Sequence, residues 1–140
     1  LETHQTFKTM KNNIFLVFCY GTLLSESVRG YTWRMIGAEK VGKGETANKY
    51  RLAVSEYPIL TKEQTSTIKG ELYKVDDNGL QTIDRIEGHP RLYKREEVQV
   101  VVNGEEFKAW LYFCNEPYLT EGAETVSNGD YLTHHTTEHY

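Results

Sequence analysis

One glutamate, Glu87, combines the residue type and the position expected of an acid/base group. Leu80, Ile83 and Ile86 recur at the spacing of one apolar helix face, and Glu87 follows Leu80 by seven residues on that face. Gly88 is a suitable residue to end the helix, which places Glu87 in the last turn. Burial and the negative end of the helix dipole both disfavour the anion, so both raise the pKa of Glu87. A raised carboxyl pKa suits general acid/base catalysis near neutral pH.

The sequence also allows a purely structural role for Glu87. In that alternative the carboxylate reaches out to solvent, or pairs with Arg85, Arg91 or Arg95, all of which lie nearby in the chain. Residues at helix ends are hard to place from a pattern alone, so the periodicity does not choose between the two roles.

A turn is predicted at Tyr20-Gly21-Thr22-Leu23, directly after the apolar run Ile14 to Tyr20. Gly21 allows unusual backbone dihedral angles and a close approach to a ligand. Successive amides in such a turn can form a nest for a carboxylate or an oxyanion. Ser25 is a plausible N-cap for a short helix running toward Met35, whose N-terminus would add partial positive charge. An ordinary tight turn is the alternative.

Neither the histidines nor the cysteines form a recognisable reactive site. His134, His135 and His139 could suggest a metal site, but a polar and disordered terminus explains them better, and we predict no metal. Cys19 lies inside a predicted buried strand with no histidine motif to activate it. Cys19 and Cys114 both sit in apolar runs, which favours free thiols and a cytoplasmic location over a disulfide.

Length and charge limit the classes of function that are open. The 140 residues suit one domain, which we place at residues 10–140, with residues 1–9 as a non-native or disordered extension. With 16 Lys and Arg against 20 Asp and Glu, the net charge of −4 disfavours nucleic-acid and anionic-membrane partners. No apolar run approaches the length of a membrane span. The oligomeric state cannot be read from the sequence.

The elements that must position these residues are many short strands and few helices. Period-two alternation predicts strands, a capped apolar stripe predicts one helix, and Asn103-Gly104 predicts a two-residue hairpin turn. The order indicates an α+β fold, a small mixed and mostly antiparallel β-barrel, partly closed, with flanking short helices. The expected segments are strands at 14–20, 36–45, 50–54, 67–75, 93–102 and 105–114, an extended piece at 57–60, a helix from Asp76 or Asp77 to Glu87, and a turn or helix at 129–132.

Several motifs, in this order, resemble the γ-glutamylcyclotransferase-like family, also called AIG2-like. The match runs from Ile14 to Leu132, nearly the whole chain. The motifs are Val17-Phe18-Cys19-Tyr20-Gly21-Thr22-Leu23, Gly70-Glu71-Leu72-Tyr73-Lys74-Val75, Ile83-Asp84-Arg85-Ile86-Glu87-Gly88, Tyr93-Lys94-Arg95 and Asn128-Gly129-Asp130-Tyr131.

The resemblance implies a γ-glutamyl cyclotransferase, which cyclises a γ-glutamyl group to 5-oxoproline and releases an amine or amino acid. In active members the glutamate at this helix end is catalytic, which carries over to Glu87. The substrate-binding turn carries over to Tyr20, Gly21, Thr22 and Leu23, and a pocket tyrosine to Tyr93; these five residues bind the small-molecule γ-glutamyl substrate. No cofactor is implied. A non-catalytic binding protein with the same pocket is the alternative, and the leaving amine stays open.

Overall fold

The computed structural model describes residues 13–138, with side chains through residue 134. Within that range the chain forms eight strands, three α-helices and one short 3₁₀ helix. Their bounds are β1 Phe15–Cys19, α1 Thr32–Met35, β2 Glu39–Thr46, β3 Tyr50–Val54, β4 Pro58–Ser66, β5 Lys69–Val75, α2 Asp77–Glu87, β6 Tyr93–Val102, β7 Glu105–Cys114, the 3₁₀ helix Pro117–Thr120, β8 Glu124–Thr125 and α3 Tyr131–Glu138.

Five strands close into a barrel in the order β1-β5-β2-β6-β7. Neighbouring strands are antiparallel except β1 and β7, which pair in parallel through Val17 and Trp110 and complete the ring. The remaining strands form a separate three-stranded sheet in the order β4-β3-β8. The mixed, mostly antiparallel barrel is therefore confirmed, and it is closed where the sequence indicated partial closure.

The β6–β7 hairpin forms because its turn matches the twist of the strands. Asn103 and Gly104 have φ angles of 54° and 78°, and positive values at both positions are what a type I′ turn requires. Pairing then runs without interruption from Val102 and Glu105 to Tyr93 and Cys114. The predicted bounds of both strands are confirmed.

The inner faces of the barrel strands supply the core. Phe18 of β1, Leu72 of β5, Val100 of β6 and Leu111 of β7 are all fully buried and belong to one continuous apolar cluster. Burying side chains of this size contributes on the order of 1.5–3 kcal/mol each, so the barrel is the main source of stability. The barrel is also the rigid scaffold for the turns and loops at its two ends.

Helix α2 begins and ends where its capping residues predict. The Asp76 carboxylate accepts a hydrogen bond from the Gly79 amide at 2.8 Å, and Gly88 ends the helix in the left-handed conformation with φ of 65°. Leu80 and Ile83 are buried, so the apolar stripe faces the protein interior. Glu87 is the last helical residue.

The predicted helix from Ser25 to Met35 is wrong over most of its length. Residues 21–31 form successive turns, and only Thr32–Met35 are helical. The reason is a long-range contact: the Ser25 amide and hydroxyl both donate to the carboxylate of Glu71, at 2.7 Å each. Ser25 is therefore tied to β5 and does not cap a helix.

The chain after β7 has more structure than its composition indicated. Helix α3, Tyr131–Glu138, begins within the turn or helix expected at 129–132 and continues where a disordered end was expected, and β8 adds a short strand to the second sheet. The expected extension at residues 1–9 and His139 lie outside the described residues. No helix in the described range is long and apolar enough to cross a membrane.

Candidate active site

A cavity of about 690 Å³ opens where the barrel meets the connections of the smaller sheet. Its walls come from the end of β1 and the turn after it, the C-terminal end of α2, and the start of β6. The link between β3 and β4 and the 3₁₀ helix complete it. Every residue predicted for the site lies on this wall: Glu87, Tyr20, Gly21, Thr22, Leu23 and Tyr93.

Glu87 lies half-buried at the end of α2 and faces the cavity. Burial raises the pKa of its carboxyl group from 4.5 to about 7, while the positive charge of Arg29 acts in the opposite direction. Within the described residues, no hydrogen bond or ion pair joins Glu87 to another side chain. The carboxyl group can therefore exchange a proton near neutral pH with a molecule bound in the cavity.

The arginines near Glu87 in sequence do not neutralise it. Arg95 donates to Asp84 at 2.9 Å and lies over the Trp110 ring at 4.3 Å. Arg85 reaches back to Thr82, 3.2 Å away. In the described structure the ion-pair alternative for Glu87 is therefore not found, and its charge is left for a ligand.

Gly21 is needed for close packing, and its φ angle is not in the positive region that favours glycine. Its φ lies outside the left-handed region, contrary to the predicted use of unusual dihedral angles. A Cβ at this position would come within 2.7 Å of Cγ of Pro58, so a side chain would push the turn away from the β3–β4 link. Glycine therefore lets two walls of the cavity approach each other.

The amides of the turn are available to a ligand. Within the described residues the N–H groups of Thr22 and Leu23 donate to no backbone or side-chain acceptor. The Thr22 carbonyl accepts from the Arg29 amide at 2.9 Å, and its hydroxyl accepts from the Arg29 guanidinium at 2.8 and 3.0 Å. Arg29, which lines the cavity, was missed from the sequence because its partner lies across an irregular loop.

A buried carboxylate, Glu71, anchors this turn to the barrel. Its side chain is 2% exposed and accepts hydrogen bonds from Ser25, from the Tyr73 hydroxyl at 2.9 Å and from Lys40 at 3.4 Å. Burial alone would raise the pKa of Glu71, but the hydrogen bonds from Ser25, with those from Tyr73 and Lys40, outweigh it and lower the pKa. Trp33 adds a second anchor by donating to the Leu23 carbonyl at 2.6 Å.

Two tyrosines of the cavity, Tyr20 and Tyr93, are held as neutral donors. The Tyr20 hydroxyl donates to the Tyr112 carbonyl and the Tyr93 hydroxyl to the Pro58 carbonyl, both at 2.9 Å. Burial raises the pKa of Tyr20 and Tyr93 well above the ordinary value, and the nearby Glu87 charge adds to this. Neither tyrosine therefore ionises near neutral pH, where Glu87 has its pKa of about 7.

Cys19 also reaches the cavity but is not a nucleophile. It is a free, buried thiol, and burial followed by the charge of Glu71 raises its pKa. It therefore stays protonated at neutral pH. In the part of the chain that the structure describes, no group of three or more His, Cys, Asp or Glu side chains could hold a metal ion.

Comparison with known proteins gives a consistent family match. Residues 17–133 match the family model described as gamma-glutamyl cyclotransferase, AIG2-like. A provisionally named gamma-glutamylcyclotransferase of Methanocaldococcus jannaschii is 37% identical over 82% of this chain and 93% of its own length. A gamma-glutamylaminecyclotransferase A of Danio rerio is 29% identical over 69% of this chain and 66% of that protein.

Solved structures share the fold. An AIG2-like protein from Mus musculus superposes with a TM-score of 0.75, 23% identity, and coverage of 86% of this chain and 89% of that chain. The YtfP protein of Escherichia coli gives a TM-score of 0.64 at 24% identity, covering 86% and 99%. At these identities the likeness supports the barrel architecture alone.

Proposed function

This chain belongs to the AIG2-like gamma-glutamyl cyclotransferase family, and from that premise we propose that it converts a γ-glutamyl amine or γ-glutamyl amino acid to 5-oxoproline and a free amine. The observation that carries the proposal is Glu87, a cavity carboxylate with no partner among the described residues and a pKa of about 7. A group with that pKa both accepts and returns a proton at neutral pH.

The proposed reaction forms one C–N bond, breaks another, and moves two protons from the α-nitrogen to the leaving nitrogen. The α-amine of the substrate is mostly protonated near neutral pH, and Glu87 removes that proton. The freed amine attacks the γ-carbonyl carbon and closes a five-membered ring. As the tetrahedral intermediate collapses, Glu87 returns the first proton to the leaving nitrogen, and the bond to that nitrogen breaks. The ionised Glu87 then takes the second proton from the ring nitrogen and passes it to the departing amine, which leaves as an ammonium ion.

The rest of the cavity supplies orientation and charge stabilisation. The nucleophile and electrophile belong to one molecule, so the enzyme needs only to hold the chain in a ring-closing conformation. The unbonded N–H groups of Thr22 and Leu23 are available to the developing oxyanion. Neither the proton transfers by Glu87 nor the binding of the substrate in the cavity requires a cofactor.

The test is turnover of a panel of γ-glutamyl amides, with 5-oxoproline as the readout. Glu87→Gln keeps the shape of the side chain and removes its acid/base function, so we expect turnover to fall by about 10²- to 10⁴-fold. Glu106→Gln is the matched control, because it removes the same charge from an exposed position outside the cavity. Full activity in Glu87→Gln would contradict the mechanism.

The same panel separates the enzyme from a binding protein. If the wild-type chain releases no 5-oxoproline from any member of the panel yet binds γ-glutamyl compounds, the non-catalytic alternative is correct.

A further inference from the structure

Arg29 is the one cation among the described residues that line the cavity. Three glutamates, Glu56, Glu87 and Glu121, line it as well. In the described structure Arg29 forms no ion pair with any of them. A γ-glutamyl substrate brings its own α-carboxylate into this acidic cavity, and that carboxylate needs a positive partner.

The position of Arg29 suits that partner geometrically. Its guanidinium uses Nε and Nη2 on the Thr22 hydroxyl, which fixes the plane of the group beside the turn. Within the described residues Nη1 donates to no acceptor, and its two N–H groups together with the second N–H of Nη2 stay free for a ligand. A guanidinium fixed in this way binds a carboxylate through parallel, charge-assisted hydrogen bonds.

The chemistry of the substrate requires the carboxylate to bind near Glu87. The α-amine and the α-carboxylate share one carbon atom, so an amine that reaches Glu87 brings the carboxylate within a few ångströms of it. Two anions at that distance repel each other unless a cation lies close to both. The charge of Arg29 already acts on Glu87 without an ion pair between them, which leaves room for the substrate.

Resting on the proposed function, we infer that Arg29 is the residue that binds the α-carboxylate of the γ-glutamyl group, through the guanidinium nitrogens that Thr22 leaves free. The turn amides then serve the oxyanion, and the cavity selects α-carboxylates over otherwise identical amides. Both the substrate and the product, 5-oxoproline, carry this carboxylate, so Arg29 contributes to binding of each.

The experiment compares ligands with and without the carboxylate. A γ-glutamyl amide is paired with the γ-aminobutyryl amide of the same leaving amine, which keeps the amine and the carbonyl and cyclises to pyrrolidinone. Binding of 5-oxoproline and of pyrrolidinone is measured in parallel by NMR titration. The variants are Arg29→Gln, Arg29→Lys, and Arg34→Gln as a control with the same charge change at an exposed position outside the cavity.

We expect Arg29→Gln to lower kcat/KM for the γ-glutamyl amide by at least about 30-fold, mostly through KM. The same variant should lower kcat/KM for the carboxylate-free amide much less, because that substrate loses only the effects of Arg29 on the Thr22 turn and on Glu87. Arg29→Lys keeps the positive charge but lacks the planar guanidinium with its parallel N–H donors. Its kcat/KM for the γ-glutamyl amide should lie between those of Arg29→Gln and the wild-type chain. Arg34→Gln should match the wild-type chain.

Equal losses on both members of a pair would overturn the inference, since they would mean that Arg29 only holds the Thr22 turn. If Arg29→Gln does not fold, equal binding of 5-oxoproline and pyrrolidinone to the wild-type chain overturns it as well. Normal turnover in a folded Arg29→Gln variant removes the inference and leaves the proposed function intact. If 5-oxoproline binds in a way that depends on Arg29 but no substrate is turned over, the inference stands and the proposed function is wrong. If the chain neither turns over the substrate nor binds 5-oxoproline, both the inference and the proposed function are wrong.

Discussion

At the residue scale, the position of Glu87 costs the folded state free energy above neutral pH. Its pKa rises from 4.5 to about 7, so the folded chain holds the proton more tightly than the unfolded chain does. Stability therefore falls as the pH rises between these two values, and above pH 7 the full cost is about 3 kcal/mol.

Glu87→Gln should accordingly be inactive but more stable than the wild-type chain. We expect urea unfolding at pH 8 to show a gain approaching 3 kcal/mol, since the amide carries no charge to bury. Below pH 4.5 both forms are neutral, and the difference should disappear. A gain that does not change with pH would mean that the wild-type carboxylate is not desolvated. Glu106→Gln is the control for a change of net charge.

The pKa of Glu87 can also be followed directly. The charge of Arg29 lowers it, so Arg29→Gln should raise the midpoint above about 7, while Arg34→Gln should leave it unchanged. The measurement is a ¹³C NMR titration of the Glu87 carboxyl carbon in the free protein. An unshifted midpoint in Arg29→Gln would show that the two groups do not interact.

Sequence reasoning reached Glu87 because its evidence is local. Residue spacing places it on the apolar stripe of α2, and the caps at Asp76 and Gly88 set the end of that helix. Arg29 and Glu71 were missed because nothing within a few residues of either marks it. Two of the hydrogen bonds to Glu71 come from Ser25, which lies 46 residues away, and the pairing of β1 with β5 brings the two residues together.

At the element scale, the segment 21–31 depends on β5 for its shape. The segment consists of successive turns, and near its centre the Glu71 carboxylate accepts two hydrogen bonds from Ser25. The hairpin and α2 were predictable because their own residues fix them through turn geometry and capping. This segment was not, because its conformation is decided by a distant carboxylate.

We therefore expect Glu71 and Ser25 to be coupled in a double-mutant cycle. Ser25→Ala should cost about 1–2 kcal/mol, and Glu71→Gln should cost about 2–4 kcal/mol, because glutamine keeps one acceptor oxygen but turns an NH₂ group toward two of the four donors and removes the charge that faces Lys40. The double variant should be less destabilised than the sum by about 1 kcal/mol or more. The measurement is the urea midpoint at pH 7. Additive costs would mean that β5 does not hold the segment.

At the scale of the whole molecule, the cavity joins two sheets that carry different parts of the proposed reaction. The barrel and α2 contribute the turn and Glu87. The connections of the smaller sheet contribute exposed residues at the rim, among them Glu56 and Glu121. Since Arg29 is assigned to the α-carboxylate, the charged residues that remain at the rim among the described lining residues are negative, and they face the leaving group.

A leaving group with a positive charge should therefore be preferred. γ-Glutamyl-putrescine, γ-glutamyl-butylamine and γ-glutamyl-aminobutyrate carry a cationic, a neutral and an anionic end on leaving groups of equal length. We expect kcat/KM to fall in that order by about 3- to 10-fold overall at low ionic strength, because exposed charges contribute little each. High salt should compress the range.

The double variant Glu56→Gln/Glu121→Gln should reduce the differences in kcat/KM among the three substrates and leave kcat/KM for the neutral substrate unchanged. Glu105→Gln/Glu106→Gln is the matched control, since it removes two charges from the exposed end of the β6–β7 hairpin, away from the cavity. A flattened order in the control would mean that net charge alone steers the substrate. A preference that survives in the rim variant would place the selection deeper in the cavity, at the aromatic and apolar contacts of the leaving group.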